Sequence, residues 1–221
     1  MFTEVSLNST KRLLEAKRLM ELCSDDKFDE EQATTDSVLK GVVYVLLYGA
    51  LEFTITHCVS RTIEILNDKT LNLYQVLPSL WGLIYDSACK RIETAGTNKK
   101  WENRYKLFKE LTKDKVIEQI ESTLFPSSNG NIKEQQLDRV WKTFGIKAPM
   151  FEPEHMSVKQ TLLDLANGRM AVAHGRECAS QIGSLKSSSD LDELYDSISR
   201  YCSYLIECFT QYINQEEYLQ K

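Results

Sequence analysis

With 221 residues and 42% hydrophobic side chains, the chain can build a real core, which excludes a disordered polypeptide. Nine glycines and four prolines are few for a loop-rich β protein, and long segments rich in Leu, Lys, Glu and Gln favour helices. A formal net charge of −5 excludes a generic nucleic-acid coat, so any handling of RNA has to use a local basic surface.

The first helix is expected over residues 8–23, where Leu13, Leu14, Ala16, Met20 and Leu22 are apolar among Lys and Arg. The acidic run 24–36 reads as a linker, with Thr35 or Asp36 capping the second helix, so that 1–36 form an N-terminal helix and linker. That second helix runs from about Ser37 to Asp68. Its first half is apolar almost all round, as expected of the centre of a core. Its most apolar stretch, 41–53, is too short to span a bilayer and carries Glu52, so no membrane association is expected. The N-terminus lacks the apolar run of a signal peptide.

A third helical segment covers 70–95, interrupted near Pro78, and a fourth covers 98–123, ending at the break 125–130. Residues 133–144 form a short helix, followed by a loop through Pro149 and Pro153; the span 95–150 reads as an insertion in mid-chain. In 157–174, Val158, Leu162, Leu163, Leu165, Ala166 and Met170 lie on roughly one side, and Gly175 is placed to end the helix. The loop 183–190 supplies an N-cap for a last helix over 190–215. There Leu191, Leu194, Ile198, Tyr201, Leu205, Phe209 and Tyr212 are spaced for packing against another helix. No stretch alternates as a strand, and no internal repeat is visible. The expected fold is a single all-α domain.

Six cysteines show no Cys-x-x-Cys pair and no zinc-ligand spacing with His. Buried, reduced thiols in a cytoplasmic protein are expected, with no metal and no cofactor. The segment 90–115 holds nine basic and four acidic residues together with Trp101, Tyr105 and Phe108. Such a mixture can contact the backbone and bases of single-stranded RNA. The helical spacing of the three aromatics favours packing over stacking. His57, in the apolar second helix, is expected to be a half-buried core residue.

The stretch 167–178, Asn-Gly-Arg-Met-Ala-Val-Ala-His-Gly-Arg-Glu-Cys, holds the residues best suited to chemistry. Arg169 offers a permanently charged planar fork for phosphate oxygens, and His174 can exchange a proton near neutral pH. RNA cleavage by its own 2′-hydroxyl needs that set: a base, an acid and a cation for the phosphorane, with no metal. Residues five apart on a helix differ by about 140° in direction, so one copy does not present both squarely. Two copies about a two-fold axis can pool two arginines and two histidines. The bland alternatives are a locally bonded helix-terminal histidine and an arginine paired with Asp164 or Glu177. Glu52 either faces solvent or has a cationic partner, with Arg169 the candidate.

The run Arg169 to Gly175 resembles the Arg-(four to six residues)-His signature of the HEPN superfamily. Two other stretches are similar to a bacterial branch of stand-alone HEPN-like nucleases of defence and toxin loci. One is 46-LLYGALEFTI-55, like a Leu-Tyr-Asn-x-x-Glu helix; the other is 129-NGNIKEQQLDRVWKTFGI-146, like a Gly-Asn-Ile segment leading into a short helix. The resemblance covers about residues 38–215. It implies a helical bundle that dimerises through the motif-bearing helices and cuts RNA without metal, with Arg169 and His174 catalytic. Glu52 and Tyr48 then support the site, and Asn167 and Arg176 join them as supporting or substrate-binding residues. The implied partners are an RNA substrate (tRNA or mRNA), a second copy, and a cognate antitoxin or defence protein. Two positions depart from the pattern. Met170 stands where a polar residue comes after the motif arginine, and Gly49 replaces the Asn of the early helix. The first supports a second reading, a non-catalytic helical module binding RNA, a nucleotide or a partner protein.

Overall fold

A computed structural model describes residues 1–23, 30–127, 132–147 and 158–220. Among them the regular structure is all-α: α1 (Thr3–Met20), α2 (Glu30–Asn67), α3 (Trp81–Ile84), α4 (Asp86–Thr94), α5 (Thr97–Leu111), α6 (Glu134–Phe144), α7 (Val158–Ala173), α8 (Ala179–Ser184) and α9 (Ser188–Asn214). Two isolated β-bridges, Asn72 with Val116 and Val76 with Leu219, are the extended pairings in that set.

The long helix α2 is the axis of the bundle, and α1, α7, α8 and α9 pack on it. Its sequence explains why. Val43, Leu47, Leu51, Ile55, Cys58, Val59 and Ile63 are fully buried and cover about 200° of its circumference, wider than a single amphipathic stripe. α1 contributes the narrow stripe Val5, Leu13, Ala16 and Met20, and all seven apolar positions expected to face inward on α9 are buried. Where α1, α2 and α9 meet, the Ser9 and Thr54 hydroxyls share a buried hydrogen bond of 2.7 Å.

Several boundaries differ from expectation. α2 begins at Glu30, so residues 30–36 are helix and not linker; residues 24–29 lie outside the described set. Glu30 and Glu31 suit the positive end of the helix dipole. The Thr34 and Thr35 hydroxyls bond back to the Glu30 and Glu31 carbonyls at 2.9 and 3.0 Å instead of capping a later start. At 38 residues α2 is long and apolar enough, by length and composition, to cross a membrane, but 56% of that apolar window is buried inside the protein. It is the core helix.

The segment 70–95 is two 3-10 turns, Leu73–Gln75 and Pro78–Leu80, followed by α3 and α4. The helix expected to reach 123 stops at Leu111. Beyond it the backbone pairs outward: Leu73 N–H donates to the Lys115 carbonyl at 2.9 Å, and Ile117 N–H to the Leu71 carbonyl at 2.8 Å. The Asn67 side chain holds both backbone groups of Ile120. Near the C-terminus, α8 covers 179–182, to which the sequence assigned no element, and runs two residues into the expected loop 183–190, while Ser187 caps α9 by accepting from Asp190 N–H. The Pro149–Pro153 loop lies outside the described residues.

The aromatics of α5 overturn the packing expectation. Trp101, Tyr105 and Phe108 are 67%, 66% and 64% exposed, and α5 has no buried residue. His57 is likewise exposed, not half-buried in the core. It stacks on Phe53 at 3.8 Å, and its Nδ1 lies 2.9 Å from the Phe53 carbonyl. The cysteines are all free; Cys58 and Cys202 are buried as expected, whereas Cys23, Cys89 and Cys208 are half-buried and Cys178 is exposed.

Candidate functional site

One face of α2 carries Tyr44, Tyr48 and Glu52 at four-residue spacing, and α7 crosses it. Gly168 permits the close approach. A methyl group there would stand 2.6 Å from Cδ1 of Tyr44. One residue later, the Arg169 guanidinium lies 5.2 Å from the centroid of the Tyr48 ring. That is within cation–π range, and the ring is buried.

Tyr48 is also held at its other end, where its phenolic oxygen accepts the Ile132 backbone N–H. Burial is the main force on this phenol and pushes its pKa up to about 12. The Ile132 N–H opposes the shift, the half-buried Glu52 carboxylate adds to it, and the Arg169 cation opposes it. Tyr48 is therefore a neutral phenol. Through it the three sequence stretches around 46–55, 129–146 and 167–178 meet at one side chain. Residues 129–131 of the second stretch lie outside the described set.

His174 occupies a different environment. It comes directly after the last residue of α7 and precedes Gly175, whose φ of 64° is left-handed. Gly175 N–H donates to the Val172 carbonyl at 3.2 Å, and Arg176 N–H to the Ala171 carbonyl at 2.9 Å. This is the paired closure of a Schellman turn. It fixes the backbone of His174 while the side chain is exposed. Arg176 is exposed on the same turn. Asn167 is exposed on α7 two turns before His174, on the same side by helical spacing, with half-buried Met170 between them.

The structure thus brings Tyr48, Glu52 and Arg169 together against the α2–α7 crossing. It leaves Asn167, His174 and Arg176 at the solvent-facing end of α7. Among the described residues no group of three or more His, Cys, Asp or Glu side chains converges.

A family model described as RiboL-PSP-HEPN matches residues 8–214. The chain belongs to this HEPN family. Searches of curated proteins and of solved structures return no match. The matched span, residues 8–214, contains all three convergent stretches, and membership carries an RNA-related function in general terms.

The sequence had not singled out a polar cluster beside the HEPN crossing. Lys186 stands 6.0 Å from the Tyr44 ring, and the Lys40 ammonium donates to the Lys186 carbonyl at 3.3 Å. Burial raises the Tyr44 pKa, against the pull of Lys186. On Lys186 burial acts to lower the pKa, but Tyr44, Asp164 and Asp190 outweigh it and the net direction is up. The four-residue spacing from Tyr44 through Tyr48 to Glu52 was the available signal for Tyr44. Lys186 had none, because its approach depends on α8 folding back onto α2.

Proposed function

We propose that this HEPN protein is a metal-independent endoribonuclease whose site is completed by two copies of the chain. The observation that carries the reading is the contrast at the end of α7, where a seated guanidinium on Tyr48 lies five residues before an exposed imidazole on a fixed turn. In one protomer the two point to different sides of the helix. The exposed side carries Leu163, Asn167 and His174, with Met170 half-buried among them. A second copy packed about a two-fold axis through that side brings two imidazoles to one cleft, each backed by its own arginine.

The chemistry then balances without a cofactor. One His174 takes the proton from the 2′-hydroxyl as its oxygen bonds to phosphorus. Arg169 offsets the charge of the phosphorane. The partner's imidazole gives a proton to the 5′-oxygen as the P–O5′ bond breaks. The products end in 2′,3′-cyclic phosphate and 5′-hydroxyl. Tyr48 and Glu52 position Arg169, and Arg176 and Asn167 line the approach to His174. The setting we infer is a toxin or anti-phage effector with a cognate protein partner and tRNA or mRNA as substrate.

The test is purified His174→Ala against wild type on RNA in EDTA, with circular dichroism and thermal melting alongside. The expected result is loss of cleavage with an unchanged fold, and cyclic-phosphate ends from wild type. Undiminished cleavage by His174→Ala sinks the reading, and so does a wild-type enzyme that cuts as a strict monomer. Met170, apolar where the signature has a polar residue, favours a second reading in which the same surface holds RNA without cutting it. RNA binding by wild type with no cleavage under any condition would select that one.

A further inference from the structure

Among the described residues the α5 aromatics are the most exposed aromatic side chains, and they lie outside the α7 site. On an ideal helix Trp101, Tyr105 and Phe108 fall within an arc of about 60° and span about 10 Å of axis. Exposed apolar surface of this kind marks an interaction site, and its surroundings identify the occupant. α5 carries five basic side chains against two acidic ones, in a chain whose net charge is −5. Both acids are already engaged: Glu102 by Lys106 at 2.6 Å, and Glu110 by Lys113 and Lys115 at 2.8 and 3.2 Å. Among the described residues, Lys99, Lys100, Arg104 and Lys109 have no carboxylate within ion-pair distance. The Arg104 guanidinium lies 4.9 Å from the centroid of the Trp101 ring.

An apolar protein face would cover the rings but strand these cations, and a second α5 would repel them. A ligand with planar rings on a polyanionic backbone satisfies both. We propose that the α5 face is a stacking platform for single-stranded RNA. This rests on the RNA-directed reading above and extends it to a second contact surface.

The platform's place in the fold assigns it a role. The α4–α5 hairpin is anchored near the Asn67 end of α2. There the Tyr74 hydroxyl donates to the Leu111 carbonyl at 2.6 Å, and Leu73 N–H pairs with the Lys115 carbonyl. Along α2 that end is about 30 Å from Tyr48. The stripe therefore does not touch the scissile phosphate. It captures flanking single strand, reading base faces and phosphates and not sequence, because every base has a stacking face.

The experiment measures binding of a mixed-sequence, single-stranded 2′-O-methyl RNA oligonucleotide, which lacks the attacking hydroxyl, to the full-length protein at several salt concentrations. Trp101→Ala and Tyr105→Ala are each expected to weaken binding about 5- to 150-fold, as for single stacked bases. Lys99→Gln with Lys109→Gln lowers the salt slope by about one to two. Thermal melting stays unchanged, since none of these side chains is buried. The same oligonucleotide annealed to its complement shows no dependence on the aromatics. Unchanged affinity of a triple variant that combines Trp101→Ala, Tyr105→Ala and Phe108→Ala overturns the proposal, and equal losses on the duplex do so as well. So does a wild-type protein that self-associates through this face, seen as dissociation of the triple variant in sedimentation with RNA affinity retained. Failure of the cleavage reading is distinguishable: a protein that never cuts RNA but binds it through Trp101 and Tyr105 keeps the platform, and His174→Ala binds the oligonucleotide as wild type does.

Discussion

Tyr48 shows how much one side chain can organise. Its ring seats Arg169, and its oxygen satisfies the backbone of a segment 84 residues away. Removing only the hydroxyl separates these roles. Tyr48→Phe leaves a surface for the guanidinium but strands the Ile132 N–H in a buried setting, at a cost of about 1–3 kcal/mol. The urea midpoint should fall accordingly while RNA cleavage per folded molecule is kept; an unchanged midpoint would show that the Ile132 contact carries no stability. The position of Tyr48 in a HEPN-like stretch was legible in the sequence. Its bond to Ile132 was not, because nothing local to residues 46–55 reports a partner so far along the chain.

Among the helices, the least conspicuous one governs the geometry. α8 spans six residues, yet it approaches α2 so closely that a methyl group on Gly41 would overlap the Ala179 carbonyl, and one on Gly183 would overlap the Ser37 carbonyl. Here backbone faces backbone, so no flexible side chain can give way. Gly41→Ala is expected to cost about 3 kcal/mol, at the upper end of overpacking effects, and to loosen the turn that precedes α8. A melting curve indistinguishable from wild type would count against this packing. Long amphipathic segments were readable from their apolar spacing, as α9 illustrates residue by residue. α8 was not, since its short run of small residues carries no apolar periodicity and only its close packing on α2 marks it out. The expected extension of α5 past Leu111 fails for a tertiary reason: the polar residues that follow read as helix, but Leu71 and Leu73 take the backbone of Ile117 and Lys115, and Asn67 takes that of Ile120. For Trp101, Tyr105 and Phe108 the periodicity named the shared face correctly. It could not tell whether any other element covers that face.

At the scale of the whole molecule, stability depends on a core that holds thiols and phenols in their neutral forms. Burial, the largest influence, pushes the Cys202 thiol up to about 11 and raises Cys58 as well. An unfolded thiol releases its proton from about pH 8.5, whereas the folded protein retains it. The raised folded value means that this contribution is complete below pH 8.5 and is lost as pH climbs toward 11. The loss is about 1.4 kcal/mol per pH unit for each such group. Urea midpoints should therefore drop progressively between about pH 8.5 and 10.5. Cys202→Ala should show a shallower decline than wild type from its lower starting point. Identical slopes would mean that Cys202 is not ionising on unfolding.

The left-handed turn at Gly175 has a mechanical corollary. Carbonyls of α7 clamp it from behind, and the docked α8 begins within four residues, so the segment bearing the imidazole has no slack. On the ribonuclease reading proposed above, a group mounted that way behaves as an anvil. On that reading the nucleic acid has to bend to reach it, and loosely structured strands are cut ahead of stiff duplexes.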